Sequence, residues 1–161
     1  MAASEISAVD DAEWALFDGF VLMHAELGRE LDRRLQRDAG ISQADFGLLL
    51  ELFRGPEEGL RPGALGELVG WEKSRVSHQL TRMVGRGLVE RVECDTDARG
   101  SMIVLTRDGR RALLRAMRGH ARDIRELFLD VLEPDEKRAI AAASARVRAG
   151  LEASAAASVS A

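Results

Sequence analysis

Apolar residues return every three or four positions between residues 11 and 37, which is the spacing of one face of an amphipathic helix. This face carries Trp14, Phe17, Phe20, Val21, His24, Leu27, Leu31 and Leu35. Asp10 or Asp11 can cap the start of the helix, and Gly40 suits the left-handed conformation that often ends one. The pattern predicts a long first helix over residues 11–37, preceded by a flexible stretch over residues 1–10.

The second helix has a clear sequence signal at its start. Ser42, with Asp45 three residues later, resembles a capping box. An apolar run follows, with Phe46 near its beginning, and a loop rich in glycine and proline over residues 55–59 ends the helix.

The next two helices are short and closely joined. Pro62 suits the first position of a helix over residues 63–69. Gly70 and Trp71 form a turn, and a helix over residues 73–86 follows. This spacing predicts a helix-turn-helix, a motif that places its second helix in the major groove of DNA.

Strand-like alternation follows over residues 88–93 and again over residues 101–105. The polar, turn-rich segment between them predicts a β-hairpin, which would form a wing beside the helix-turn-helix. Thr106 can cap a further helix that runs to about Glu133. The predicted fold class is therefore mainly α with a small β-hairpin wing.

Pro134 breaks that helix and starts the last one. Residues 153–161 are rich in alanine and serine and are predicted to be disordered. The apolar stripes of the last two helices exceed what a small monomer could cover, which indicates pairing with a second chain. The last helix carries its stripe at Ile140, Ala143, Val147 and Leu151.

Positive charge is concentrated on one helix, although the 161-residue chain has a formal net charge of −4. Four basic residues lie between positions 72 and 86 against a single acid, Glu72. This distribution is typical of a DNA-facing surface on an acidic body, although a solvated basic helix face would have the same composition. The basic residues are Lys73, Arg75, Arg82 and Arg86.

Helical spacing directs Val76, Leu80 and Met83 of this helix into the core. Arg75 and Gln79 then suit the edges of guanine and adenine in the major groove. The remaining outward or flanking positions suit phosphate contacts or further hydrogen bonds, and they are Lys73, Ser74, Ser77, His78 and Arg82.

The predicted wing tip contains Asp95, Asp97 and Arg99. We expect Asp97 to hold Arg99 in position for the minor groove, where negative potential is concentrated; the alternative is a surface ion pair. Cys94 lies beside two acids that raise a thiol pKa, which favours an ordinary strand-end residue over a redox sensor.

The sequence gives little support to an enzyme. It has no glycine-rich phosphate loop and no nucleophile elbow. Its three histidines, His24, His78 and His120, are far apart and have no metal-ligand spacing, so no metal or cofactor is expected. A single cysteine, no signal-peptide pattern and no apolar run long enough to span a membrane predict a cytoplasmic protein.

These motifs resemble the MarR family of winged helix-turn-helix regulators. The most specific part is the wing segment together with the Leu-Thr-x-x-Gly that follows it over residues 105–109. The matching segments are residues 65–68, 72–83, 86–91, 97–100 and 104–109.

The resemblance implies an obligate homodimer that reads a pseudo-palindromic operator in double-stranded DNA. Within a single domain over residues 11–152, residues 11–40 and 106–152 would form the dimerisation region and residues 41–105 the DNA-binding module. The expected dimer contacts include Leu127, Phe128, Val131, Ile140, Val147 and Leu151.

The resemblance also implies a repressor released by a small aromatic or anionic effector. Its pocket would be lined by Trp14, Phe17, His24 and Phe46, although a histidine on an apolar face is also typical of a core or an interface. Two other functions fit the sequence: a winged-helix module used only for protein contacts, and a non-specific architectural DNA binder.

Overall fold

The computed structural model describes residues 9–93 and 101–159 of the chain. Within these ranges six α-helices and one hairpin form. The elements are α1 (Asp11–Ala39), α2 (Gln43–Arg54), α3 (Pro62–Val69), α4 (Lys73–Gly85), β1 (Val89–Glu93), β2 (Ser101–Leu105), α5 (Arg107–Ile124) and α6 (Pro134–Val159). The chain divides into two compact units, residues 1–122 and residues 123–161. No helix in the described ranges is long and apolar enough to cross a membrane.

The helix caps that the sequence predicts are present. Asp10 forms a capping box with Glu13 at the start of α1, and Gly40 ends the helix with φ of 69°. Ser42 and Asp45 form the reciprocal capping box of α2. Each box supplies hydrogen-bond partners for backbone amides that the first turn of a helix leaves open.

One hydrophobic core fills the first unit. It takes side chains from the C-terminal part of α1, from α2 to α4, from both strands and from the first half of α5. Burial of leucine-sized side chains contributes about 1.5–3 kcal/mol each. The buried residues are Leu35, Ala39, Ile41, Leu48, Leu49, Leu52, Leu65, Val76, Leu80, Met83, Leu88, Val89, Ile103, Ala112, Leu113 and Ala116.

The hairpin is held against the helices at both of its sides. β1 and β2 pair antiparallel, with Val89 opposite Leu105. Leu60, in the loop after α2, forms a two-way backbone bridge with Ile103 of β2. A β-carbon on the preceding Gly59 would lie 2.2 Å from the Ile103 carbonyl oxygen, so this approach requires glycine.

The start of α5 is fixed to the end of α4. The Thr106 hydroxyl accepts from the Gly109 amide at 2.9 Å and donates to the Gly87 carbonyl at 2.7 Å. A β-carbon on Gly109 would lie 1.9 Å from the Leu88 carbonyl oxygen. The predicted cap is therefore confirmed, and it also joins two elements.

The second unit differs from the sequence prediction in two places. The predicted continuous helix to Glu133 is wrong, because α5 ends at Ile124 and a π-helical turn at Arg125–Leu129 follows it. The predicted disorder from residue 153 is also wrong as far as Val159, because α6 continues to that residue. Alanine has the highest helix propensity, and this alanine-rich segment extends a helix that is already nucleated.

Candidate nucleic-acid interface

Helix α4 separates a buried apolar side from an exposed polar side, as its spacing predicts. Val76, Leu80 and Met83 are at most 1% exposed. Six of the seven α4 residues predicted to contact DNA are exposed: Lys73, Ser74, Arg75, Ser77, His78 and Arg82. The structure thus presents one basic, hydrogen-bonding helix face on a rigid apolar support.

The N-terminus of α4 has no capping side chain. Glu72 occupies the N-cap position, and its side chain makes no cap hydrogen bond. The first-turn amides and the helix dipole therefore present partial positive charge at the end where Lys73 lies. Such a helix end can bind a phosphate group.

Trp71, which the sequence indicates only as part of a turn, contacts the main candidate base-reading residue. The Arg75 guanidinium carbon lies 4.1 Å from the centroid of the Trp71 ring. A cation over an indole face is attracted by the ring quadrupole. The four-residue spacing between Trp71 and Arg75 is the one sequence signal that could indicate this contact.

A groove of about 390 Å³ lies between α3 and the start of α4. Gly70 turns the chain there with φ of 66°, a conformation that glycine adopts without strain. A β-carbon on Gly66 would lie 3.3 Å from Cγ2 of Val76 in α4, so the two helices pack closely. The lining residues are Pro62, Gly63, Gly66, Glu67, Gly70, Trp71, Glu72 and Lys73.

The structure revises the role expected of Gln79. Its side-chain Nε2 donates to Oδ1 of Asp45 at 2.6 Å, and the residue is half-buried. A glutamine that reads adenine uses both its amide nitrogen and its amide oxygen. Because that nitrogen donates to Asp45, Gln79 fixes α4 to α2, and only its second N–H and its amide oxygen remain for a base.

Arg86 is likewise engaged inside the protein rather than held for DNA. Its Nη1 lies 2.6 Å from Oδ2 of Asp45, and its Nη2 donates to the Gly40 carbonyl. Burial raises the pKa of the Asp45 carboxyl, but hydrogen bonds from the Ser42 amide and the Arg86 guanidinium lower it by a larger amount. The pKa of Asp45 therefore lies below its ordinary value. Asp45 is therefore a buried, ionised carboxylate with charged and neutral donors around it.

The wing is described only in part. Arg91, Val92 and Glu93 of β1 are exposed. The predicted wing-tip residues lie outside the described residues, so their expected roles stay predictions: Cys94, Asp95, Asp97 and Arg99. Among the residues that the structure does describe, no cluster of His, Cys, Asp and Glu could hold a metal ion.

The fold has a close counterpart among solved structures. Sco3205 from Streptomyces coelicolor, a MarR family transcriptional regulator solved in complex with DNA, is 31% identical to this chain. The match covers 91% of this chain and 92% of Sco3205, with a TM-score of 0.82. This chain belongs to the MarR family.

Further comparisons agree with this assignment. The MarR family model matches residues 39–100, which include the whole helix-turn-helix. AbsC, a MarR family regulator from the same organism, is 27% identical over 91% of this chain and 99% of its own, with a TM-score of 0.81. PcaV of that organism, solved with its natural ligand, is 27% identical over 89% and 97% of the two chains, with a TM-score of 0.68. A comparison with curated protein sequences gives no match.

The aromatic residues expected to line an effector pocket in this MarR protein occur in ring pairs. Trp14 and Phe17 contact edge to face at 6.3 Å, and both are exposed. His24 is exposed and stacks on Phe20 at 6.4 Å. The half-buried Phe46 packs against His120 instead, with ring centroids 4.9 Å apart. Sequence reasoning does not single out His120 for this contact, because it lies 74 positions after Phe46 in the chain.

The residues predicted to form dimer contacts in the second unit differ in exposure. Leu127, Phe128 and Ile140 are partly buried within the single chain. The other three are mostly exposed, with values of 68% for Val131, 63% for Val147 and 66% for Leu151. A large exposed apolar surface on a soluble chain is typical of a protein interface.

Proposed function

We propose that this MarR family protein is a homodimeric transcriptional repressor that binds a pseudo-palindromic operator in double-stranded DNA. The observation that carries this proposal is the exposed polar face of α4, which places Lys73, Arg75 and Arg82 over a buried apolar support. Arg75 would read a base edge, while Lys73 and the open helix end would bind phosphates. The relative Sco3205, which was solved with DNA, supports this assignment.

A dimer would bring two α4 helices to successive major grooves. Half-sites would then be centred about 34 Å apart, one helical turn of DNA. Exposed apolar residues of α1 and α6 supply the surface for pairing, among them Phe17, Phe20, Val147 and Leu151. We place the dimerisation region at residues 11–40 and 106–152. We also propose that the protein acts in the cytoplasm, where its operator lies.

The repressor would respond to a small aromatic or anionic effector. PcaV, a relative solved with its natural ligand, supports the proposal of ligand binding. Trp14, Phe17, His24 and Phe46 are the candidate lining residues. The effector would favour a dimer conformation whose α4 helices no longer match the half-site spacing.

The decisive experiment is fluorescence anisotropy of the protein on the duplex upstream of its own gene. A scrambled duplex of equal length is the control, and each is titrated at several salt concentrations. We expect tight binding to the native duplex alone, with a steep salt dependence. Equal binding to both duplexes would favour an architectural DNA binder, and no binding at low salt would favour a protein-interaction module.

A further inference from the structure

Asp45 connects three helices through one buried carboxylate. Its side chain is fully buried, with 0% exposure. Oδ1 accepts from Gln79 Nε2 at 2.6 Å, while Oδ2 accepts from Arg86 Nη1 at 2.6 Å and from the Ser42 amide at 2.9 Å. Each oxygen therefore takes a donor from the segment that contains the DNA-facing helix.

The two donors from this segment lie seven residues apart. Seven residues make about two helical turns, so Gln79 and a helical continuation at Arg86 fall on the same side of the α4 axis. Arg86 is the C-cap residue of α4, and it also donates to the carbonyl of Gly40, where α1 ends. The carboxylate thus holds α4 at its middle and at its end, against the start of α2 and the end of α1.

The apolar contacts of α4 cannot provide the same constraint. Val76, Leu80 and Met83 keep the helix on the core, but hydrophobic attraction is non-directional. A small rotation about the helix axis would preserve most of that burial while it moved the exposed side chains. Hydrogen bonds to two oxygens of one fixed carboxylate are directional and oppose this rotation.

We infer that Asp45 is the positioning residue that sets the rotation of α4, and thereby the sequence specificity of DNA binding. The inference rests on the proposed function, since it concerns how α4 presents Arg75 to a base pair. Asp45 acts through Gln79 and Arg86 and is too deeply buried to touch DNA itself. A side chain that reads a base must lie within about 0.5 Å of its productive position, and a buried carboxylate with directional hydrogen bonds can hold α4 that closely.

The competing explanation is that Asp45 serves only the capping box of α2. Two substitutions separate these roles. Ser42→Ala removes the hydroxyl that accepts from the Asp45 amide at 3.1 Å, and it leaves both bonds to Gln79 and Arg86 intact. Asp45→Asn removes the negative charge of the ion pair with Arg86 and leaves a single acceptor oxygen, so Gln79 Nε2 and Arg86 Nη1 can no longer each donate to an oxygen of their own.

The experiment measures the ratio of dissociation constants for scrambled and native duplexes, at one salt concentration and per active dimer. We expect Asp45→Asn to lower this ratio about tenfold, with binding to scrambled DNA nearly unchanged. Ser42→Ala should keep the ratio within about twofold of wild type, even if it lowers stability. Equal ratios for wild type and Asp45→Asn, or equal losses for both variants, would overturn the inference.

Arg86→Lys decides the question if Asp45→Asn does not fold. This variant keeps the positive charge but loses the two-pronged guanidinium that joins Asp45 to Gly40. We expect the duplex ratio to fall while the salt slope stays at the wild-type value, because no phosphate contact is removed. An unchanged ratio, or a reduced slope with a retained ratio, would overturn the inference. A wild-type protein that does not distinguish the duplexes would instead overturn the proposed function, and the inference with it.

Discussion

The guanidinium of Arg75 lies over the indole ring of Trp71, 4.1 Å from carbon to ring centroid. Trp71 precedes the helix and Arg75 lies in its first turn, so the contact holds an exposed arginine at the end of α4 that would enter the groove. Ordering the side chain before binding reduces the entropy that a base contact must offset. The pair therefore links the turn of the helix-turn-helix to the residue that we propose as a base reader.

Arg75→Ala should weaken binding to the native operator by about 1–3 kcal/mol and relax preference at one base pair, because a two-pronged contact to a base edge is lost. Anisotropy on a set of duplexes with single base-pair changes measures both effects. Lys73→Ala is the matched comparison and should weaken all duplexes alike while it lowers the salt slope by about one. Similar losses on native and scrambled duplexes for Arg75→Ala would exclude a base-reading role.

Trp71→Leu should weaken operator binding by about 0.5–1 kcal/mol, since the ring that orders Arg75 is removed while apolar bulk is kept. Trp14 and Trp71 are the two tryptophans of the chain. In a Trp14→Phe protein the emission therefore reports on Trp71 alone, and it should change when the native duplex binds. If the emission stays constant at a saturating duplex concentration, Trp71 does not lie near the bound DNA.

Gly109→Ala should destabilise the protein by more than about 1 kcal/mol, because its β-carbon would lie 1.9 Å from the Leu88 carbonyl oxygen. Gly119→Ala in the same helix is the control. Nothing lies within 4 Å of a β-carbon there, so it should stabilise the protein by about 0.5–1 kcal/mol. Urea denaturation measures both, and equal effects would show that the close approach at Gly109 can relax at little cost.

Acid should destabilise the fold through carboxylates whose pKa values are lowered in the folded state. Hydrogen bonds from Arg33 and Arg34 lower the pKa of Glu30 from 4.5 to about 2. The pKa values of Asp38 and Asp45 also lie below their ordinary value of 3.8. A depressed carboxyl pKa stabilises the fold above the unfolded-state value and loses that contribution as pH falls through the folded-state value.

We therefore expect a steady unfolding free energy from about pH 7 to pH 5 and a decline below about pH 4.5. Denaturation midpoints measured across this interval test the expectation. Glu30→Gln should show a shallower decline than wild type, because it no longer takes up a proton. An unfolding free energy that rises as the pH falls below about 4.5 would contradict this expectation.

Val147→Glu should weaken self-association, because the side chain is 63% exposed on the apolar stripe of α6 and would bring a charge into the proposed dimer surface. Ala145→Glu, two residues away on the opposite side of the helix, is the control and should leave the dimer intact. Sedimentation equilibrium gives the association constants. A monomeric wild type, or equal association for both variants, would argue against α6 as part of the interface.

The sequence by itself predicted the features that depend on nearby residues. The helix caps, the turn at Gly70, the hairpin and the two sides of α4 each follow from residues that are close together in the sequence. Local backbone geometry and the periods of helix and strand determine such features, so they can be recognised in a single sequence. The MarR resemblance rested on these same segments.

Only the tertiary structure decided which polar side chains of α4 are exposed and which bond to other helices. The helical position of Gln79 predicts a base reader, but its side-chain amide donates a hydrogen bond to Asp45. That partner lies 34 residues earlier in the chain. Composition places Arg86 with the basic surface, but it forms an ion pair with Asp45, which lies 41 residues earlier in the chain. Contacts over such separations depend on how helices pack, and helical periodicity specifies a side chain's direction but not the partner that it meets there.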